Sequence, residues 1–201
     1  MPAISVFDIF KVGIGPSSSH TGGPMLAAYA FLQQAEAIAE QVKSVQVTLY
    51  GSLAFTGKGH GTDTAVILGL MGYTPATVDP DEVESLLRAV HEQKQLSMPD
   101  IGCLPFDPEY AVRFDYDIEL PRHTNGMRFV ALDDGGKELL NEEYYSLGGG
   151  FIARGDEPEP ASREGDPIHV FGSADDLLAL AEKQQLSIAN LVLENETVWQ
   201  S

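Results

Sequence analysis

The sequence predicts a fold that combines α-helices with β-strands, and three kinds of pattern lead to that prediction. Apolar residues recur with helical spacing in three segments, 22–41, 64–72 and 79–95. Apolar and polar residues alternate, as in half-buried strands, over 44–53 and 109–120. A hairpin is predicted over 126–147, with its turn at Asp133-Asp134-Gly135-Gly136. We therefore predict one domain over residues 1–152.

The composition changes after residue 152. Residues 153–172 are polar, charged and contain prolines, which is typical of a linker or mobile loop. Residues 173–201 predict two helices, with Ser173 and Ser187 as the N-caps. The apolar faces of these helices have few remaining residues to pack against. We therefore expect them to lead into a further C-terminal domain that this sequence does not contain.

The charge balance disfavours several classes of function. The 201 residues include 30 acidic and 12 basic side chains, for a formal net charge of -18. Such a surface repels nucleic-acid backbones and anionic membranes. The longest apolar run, 65–71, is too short to span a bilayer, and the N-terminus lacks the basic start of a secretory signal. We expect a cytoplasmic protein.

The single cysteine limits redox and metal chemistry. With Cys103 alone, the chain has no internal disulfide and no site built from several thiolates. Its apolar neighbours favour a small buried residue over a catalytic thiol.

Two segments share one plan: a strand, glycines, polar side chains, a histidine and then a helix. They are "GPSSSHTGGPM" (15–25) and "GKGHGTDTAV" (57–66). A helix N-terminus offers unpaired N–H groups and a positive dipole end, and hydroxyl side chains add donors, so the combination suits an anion such as a carboxylate. Neither segment fits a nucleotide motif: the first has Ser18 in place of the last glycine of G-x-G-x-x-G, and the second departs from the Walker A spacing.

Each of these residues also has a structural interpretation. Any one hydroxyl at a helix entrance is explained by capping, although four hydroxyls (Ser17, Ser18, Ser19, Thr21) beside His20 exceed what capping requires. His60 is either a structural imidazole or an accessible one, since Gly59 and Gly61 flank it. An accessible histidine titrates near pH 6.5, which suits proton transfer at neutral pH.

A third polar cluster is "PRHTNGMRF" (121–129). Asn125 can both donate and accept, and Arg128 offers a fork that matches a carboxylate. The alternative is structural, because Asn125-Gly126 is a common turn and Arg128 suits the surface of a strand.

Four blocks of this sequence resemble one family. The blocks are "SVFDIFKVGIGPSSSHTGGPM", "YGSLAFTGKGHGTD", "HTNGMRF" and "YYSLGGGF". They resemble the N-terminal (beta) domain of the iron–sulfur L-serine dehydratases of the single-chain bacterial type. The resemblance implies an α+β fold in which helices cover a mixed β-sheet, similar to the allosteric substrate-binding domain of some D-3-phosphoglycerate dehydrogenases.

The resemblance also implies a reaction and its residues. The family deaminates L-serine to pyruvate and ammonia with a [4Fe–4S] cluster bound by the C-terminal (alpha) domain, and without pyridoxal phosphate. His60 is then the general base, and a homodimer is expected. The residues expected to bind substrate are Ser17, Ser18, Ser19, His20, Thr21, Gly61, Thr62, Asp63, His123, Asn125 and Arg128.

Two questions stay open at the level of the sequence. One is whether His60 or His20 takes the proton. The other is whether the chain is half of a catalytic site, a serine-sensing or dimerisation module, or a purely structural interaction domain. A sensor should bind serine by itself, whereas a catalytic half-site should bind it weakly.

Overall fold

The computed structural model describes residues 5, 10–155, 157 and 167–199. The chain divides into two compact units, Val12–Glu159 and a smaller one made of Met1–Lys11 with Pro160–Ser201. Half of the linker predicted over 153–172, residues 156 and 158–166, lies outside the described residues. The domain boundaries at 152 and 172 stay predictions.

The larger unit is built on a mixed five-stranded sheet with the order β4-β1-β5-β6-β7. Strands β1 and β4 are parallel, and every other neighbouring pair is antiparallel. The strands are β1 (Ser44–Tyr50), β4 (Val112–Asp115), β5 (Gly126–Leu132), β6 (Glu138–Gly148) and β7 (Phe151–Arg154), with a separate antiparallel pair of β2 (Gln95–Met98) and β3 (Gly102–Pro105). The hairpin predicted over 126–147 is therefore confirmed as β5 and β6.

Helices pack against this sheet. They are α1 (Gly23–Ala35), α2 (Gly51–Thr56), α3 (Thr62–Leu70), α4 (Val83–Gln93) and α5 (Pro108–Ala111), with 3-10 turns at Glu36–Gln41 and Gly57–His60. The buried side chains of α1 and α3 form a core with the apolar face of the sheet, where Phe31 stacks on Phe129 at 5.3 Å between ring centroids. The predicted class, α+β with helices covering a mixed sheet, is confirmed. The similarity to the dehydrogenase domain stays a prediction.

The crossing of α1 and α3 depends on a small residue, because the two backbones approach closely at Gly69. A Cβ at this position would lie 2.3 Å from the carbonyl oxygen of Met25 and 2.7 Å from the Cβ of Ala28. Neither neighbour is a flexible side-chain end, so the helices would have to separate.

We expect Gly69→Ala to lower the free energy of unfolding by about 1–3 kcal/mol, the usual cost of overpacking a tight contact. Urea denaturation of the two proteins measures the difference. Gly59→Ala is the matched control, because a Cβ at Gly59 meets no atom within 4 Å. An equal loss of stability in both variants would contradict this account of the helix crossing.

Three sequence-based expectations were wrong. The strand predicted over 44–53 ends at Tyr50, and helix α2 begins at Gly51, which has φ +51°. The strand predicted over 109–120 is confined to β4, because Pro108 begins a short helix that the Asp107 side chain caps by accepting from the Glu109 N–H. Cys103 was expected to be buried but is exposed on β3, where its neighbour Leu104 is the residue that enters the core. Its thiol lies 3.3 Å from Gln95 Oε1.

The smaller unit contains helices α6 (Ala174–Gln184) and α7 (Ile188–Trp199). Both predicted caps are confirmed, because Ser173 accepts from Asp176 N–H and Ser187 accepts from Asn190 N–H. Apolar side chains stay exposed in this unit, among them Ile168, Val170, Leu178, Ile188 and Leu193. No helix of the described residues has the length and apolar character needed to cross a membrane.

Candidate active site

The first histidine lies in a turn at the start of α1, here named the His20 turn (residues 17–22). Ser17 has an extended backbone and ends the preceding loop, and its Oγ accepts a hydrogen bond from His20 N–H at 3.2 Å. Ser17 O also accepts from the N–H groups of Thr21 and Gly22. The capping interpretation therefore holds for Ser17, whose hydroxyl sets the start of the turn.

The His20 ring lies between two hydroxyl groups. Its Nδ1 is hydrogen-bonded to Ser19 Oγ at 2.9 Å, and its Nε2 is hydrogen-bonded to Ser52 Oγ at 3.0 Å. Ser52 begins α2 directly after strand β1. Since a hydroxyl can both donate and accept, these contacts leave the tautomer of His20 open, but they occupy both of its nitrogens.

The second histidine ends a 3-10 turn that follows α2, here named the His60 turn (residues 57–61). His60 Nδ1 lies 2.9 Å from the carbonyl oxygen of Thr56. A carbonyl oxygen can only accept, so Nδ1 must carry the proton and donate it. In the neutral ring the lone pair then resides on Nε2, and no described residue is hydrogen-bonded to that atom.

The two turns hold their imidazoles next to each other. The ring centroids of His20 and His60 lie 5.0 Å apart, with 42° between the ring planes. Thr21 Oγ1 donates to the carbonyl oxygen of His60 at 2.8 Å, and Thr62 Oγ1 donates to the carbonyl oxygen of His20 at 2.5 Å. Two segments that lie 40 residues apart in the sequence are thus joined at their histidines.

The third polar block, residues 121–129, contacts Ser52 at the start of α2 through hydrogen bonds with the Ser52 main chain. Ser52 N–H donates to the carbonyl oxygen of Thr124 at 2.9 Å, and Thr124 Oγ1 lies 3.2 Å from the same N–H. Gly51 makes this approach possible: it has φ +51°, and a Cβ there would lie 2.4 Å from Thr124 O. All three sequence blocks therefore meet around Ser52.

The other predicted residues of the third block have partners within the chain. His123 Nδ1 accepts from Asn125 N–H at 3.0 Å. Asn125 is buried and donates from Nδ2 to the carbonyl oxygen of Ser146 at 3.1 Å. Arg128 forms an ion pair with Glu143 at 2.6 Å on the neighbouring strand and lies over the ring of Tyr50. None of the described contacts joins Arg128 to the histidines.

The remaining predicted residues are Ser18, Gly61 and Asp63, and the last of these lines a cavity. Ser18 is exposed at the first position of the π-helical turn, and Gly61 links the His60 turn to α3. Asp63 accepts from Thr64 N–H and lines a cavity of about 290 Å³, together with Lys58, His91 and Lys94. Neither His20 nor His60 lines that cavity.

Burial and a neighbouring charge both change the pKa of His20. Partial burial, followed by the positive charge that His60 can carry, lowers the pKa of His20 below its usual value of 6.5. Below pH 6.5 this histidine is therefore protonated to a greater extent in the unfolded chain than in the folded chain. The contribution of His20 to stability falls as the pH falls through this range, until the folded imidazole is protonated as well.

We expect His20→Gln to reduce the dependence of the free energy of unfolding on pH below pH 6.5. Wild type should lose stability between pH 6.5 and the lowered pKa of His20, and the variant should lose less over the same interval. Urea midpoints at several pH values measure the difference. Thr77→Val, at an exposed residue that does not titrate, is the control and should keep the wild-type slope. If the urea midpoints of wild type and His20→Gln change equally with pH, the pKa of His20 does not contribute to the stability of the folded chain.

Sequence reasoning missed three contributors to this site. Ser52 and Thr124 supply contacts to His20 and to the start of α2, and the Thr56 carbonyl sets the proton position on His60. Ser52 could have been found, because it is a hydroxyl residue directly after a strand and a glycine, like the hydroxyls near His20. The Thr56 contact involves only main-chain oxygen, which no residue type reveals.

The described residues do not fit an iron–sulfur cluster. Such clusters are held mainly by several cysteine thiolates, and Cys103 is the one cysteine of the 201 residues. Within the described ranges, no three His, Cys, Asp or Glu side chains are placed to hold a metal ion. A cluster, where one is used, needs ligands from other residues.

Comparisons with known proteins agree with the four blocks quoted above. The model of the serine dehydratase beta chain family matches residues 5–157. L-serine dehydratase from Streptomyces coelicolor is 43% identical over 210 residues, covering 98% of this chain and 44% of that protein. L-serine dehydratase from Helicobacter pylori is 43% identical over 195 residues, and L-serine dehydratase 1 from Escherichia coli is 42% identical over 199 residues; each covers 96% of this chain and 43% of the relative. The chain thus spans less than half the length of these relatives, and it belongs to the serine dehydratase beta chain family.

Proposed function

We propose that this chain supplies the substrate cleft and the general base of a lyase that deaminates L-serine to pyruvate and ammonia. Family membership and the names of the relatives support the reaction. The observation that carries the role of this chain is the hydrogen bond from His60 Nδ1 to Thr56 O, because it leaves the lone pair of His60 on the open Nε2.

His60 is the better of the two candidate bases. Deamination requires removal of the α-proton of serine by a group with a free lone pair within reach of the substrate. Both nitrogens of His20 are hydrogen-bonded to serine hydroxyls, whereas Nε2 of His60 has no partner among the described residues. We infer that His60 takes the proton at Nε2, and that His20 orients the Ser19 and Ser52 hydroxyls beside the substrate.

The His20 turn is the proposed site for the substrate carboxylate. Ser18 and Ser19 lie in the first turn before α1, where the helix dipole and unpaired N–H groups favour a negative charge. Ser17 Oγ and Ser19 Oγ lie 3.3 Å apart, so the turn presents adjacent hydroxyls beside the His20 ring. His123 and Asn125 belong to the loop that contacts α2, and we propose that they limit the mouth of this cleft.

The proposed enzyme needs a cofactor from outside these residues. We propose a [4Fe–4S] cluster bound by a C-terminal alpha domain of the full-length protein, in a cytoplasmic homodimer. The lone cysteine and the absence of a ligand set among the described residues support this division of the site between two domains. The exposed apolar side chains of α6 and α7 support a partner domain as well.

Pyruvate formation by the full-length protein tests the proposal. The protein is purified without oxygen, its iron and sulfide content is measured, and pyruvate and ammonia are followed from L-serine. We expect equal amounts of both products, and no turnover by the 201-residue chain alone. A full-length protein that carries its cluster and forms no pyruvate from L-serine would rule out the proposed reaction.

Serine sensing is the second candidate function, and the cavity beside the His60 turn is the observation that favours it. The cavity is lined by side chains of both signs, Lys58 and Lys94 as well as Asp63 and Glu109, which suits a zwitterionic amino acid. Calorimetric titration of the 201-residue chain with L-serine separates the two candidates. Tight binding that Lys58→Met abolishes and His60→Gln preserves would favour the sensor.

A further inference from the structure

We propose that Thr21 and Thr62 are positioning residues that hold the His20 and His60 turns together, and that they do not bind the substrate. This role deepens the proposed function, because it concerns the same two histidines. The family resemblance implied that both threonines bind the substrate. The structure points to a different use of their hydroxyls.

The first observation is the reciprocal pattern of the bonds. Thr21 follows His20 and donates to the carbonyl oxygen of His60, while Thr62 lies two residues after His60 and donates to the carbonyl oxygen of His20. Each turn therefore fixes the main chain of the other at its histidine. Among the described residues, these two bonds are the direct hydrogen bonds between residues 17–22 and residues 57–62.

The second observation is burial. Thr21 is 5% exposed and Thr62 is 0% exposed. A hydroxyl has one proton to donate, and each of these is already donated to a carbonyl oxygen. A substrate carboxylate accepts hydrogen bonds and needs donors, so neither hydroxyl has a proton left for it. The exposed Ser18 is better placed for that contact.

The third observation is the spacing that the bonds maintain. The two imidazoles lie 5.0 Å apart between centroids, close enough for one substrate to contact both rings. Loss of either threonine hydroxyl leaves a carbonyl oxygen of the opposite turn without its partner, and the turn then moves to satisfy it. Catalysis is sensitive to such movement: a misplacement of 1 Å can cost about 10²-fold in rate.

A nuclear Overhauser effect between the ring protons of His20 and His60 tests the placement without substrate or cofactor. The 201-residue chain is compared with Thr21→Val, Thr62→Val and the corresponding serine variants. We expect the cross-peak in wild type and in both serine variants, and its loss or marked weakening in both valine variants. Thr77→Val, at an exposed turn outside the site, is the control and should keep it.

An unchanged cross-peak in folded valine variants overturns the proposal. If a valine variant does not fold, the alanine variant at the same position takes its place with the same criterion. The nuclear Overhauser measurement does not depend on serine deamination. It therefore tests whether the threonines position the two histidines even if the proposed reaction is wrong.

Kinetics of the full-length protein separate positioning from substrate binding. We expect the valine variants to lower kcat for pyruvate formation by about 10- to 100-fold, with KM changed less than about threefold, and the serine variants to restore kcat. A KM raised tenfold or more with kcat retained would assign the hydroxyls to substrate binding and overturn the proposal.

Discussion

Replacement of His60 by glutamine in the full-length protein is expected to lower kcat for pyruvate formation from L-serine by about 10²- to 10⁴-fold, the usual contribution of a general base. Glutamine keeps a polar side chain in the turn but has no basic nitrogen at the position of Nε2. The geometry predicts a loss in kcat because Nε2 is the open nitrogen of the pair of histidines. Pyruvate is measured at matched cluster content, so that cofactor loss does not enter the comparison.

Two further variants complete this test. Thr77→Val changes an exposed turn and should leave kcat as in wild type. His20→Gln should raise KM more than it lowers kcat, because His20 is proposed to orient the hydroxyls that contact the substrate. Near-normal turnover by His60→Gln together with an inactive His20→Gln would transfer the role of base to His20.

Replacement of Gly51 by alanine is expected to lower the free energy of unfolding by about 2–5 kcal/mol. Gly51 has φ +51°, a backbone conformation that costs a residue with a Cβ about 1–2 kcal/mol. The added Cβ would also lie 2.4 Å from Thr124 O, which is main chain and moves only with its loop, at about 1–3 kcal/mol for overpacking. Urea unfolding of the 201-residue chain measures the sum.

Gly136→Ala separates the two parts of this effect. Gly136 also has a positive φ, +78°, but a Cβ there meets no atom within 4 Å. We expect this variant to lose about 1–2 kcal/mol, from backbone strain alone. Equal losses at Gly51 and Gly136 would show that the contact between α2 and the Thr124 loop is loose, contrary to the structure.

Local patterns in the sequence predicted much of the fold. The β5–β6 hairpin follows from alternating side chains and a turn that Asp133 stabilises by accepting from Gly135 N–H and Lys137 N–H. The parallel pairing of β1 with β4 was not predictable in this way, because it joins Val47 to Val112 across 65 residues of chain. Local pattern also misplaced the start of β4, where Pro108 and the Asp107 cap favour a short helix over a strand.

The candidate site was predictable to the extent that it consists of residue types in short blocks. His20, His60 and the hydroxyls near them stand out because glycines and a helix start surround them. The roles of Thr21 and Thr62 were not apparent, since each bonds a carbonyl oxygen about 40 residues away. Arg128 looked available for a carboxylate, but its partner Glu143 lies opposite it on β6, a pairing that follows from the register of the hairpin.

The proposed function depends most on the tautomer of neutral His60, and ¹⁵N NMR of its imidazole tests that tautomer directly. The chain is labelled at histidine, the signals are assigned with His60→Gln, and spectra are recorded at a pH where the ring is neutral. The hydrogen bond to Thr56 O predicts the tautomer with the proton on Nδ1 and a free lone pair on Nε2. A neutral His60 with its proton on Nε2 would contradict the claim, because the open nitrogen would then have no lone pair to accept the α-proton of serine.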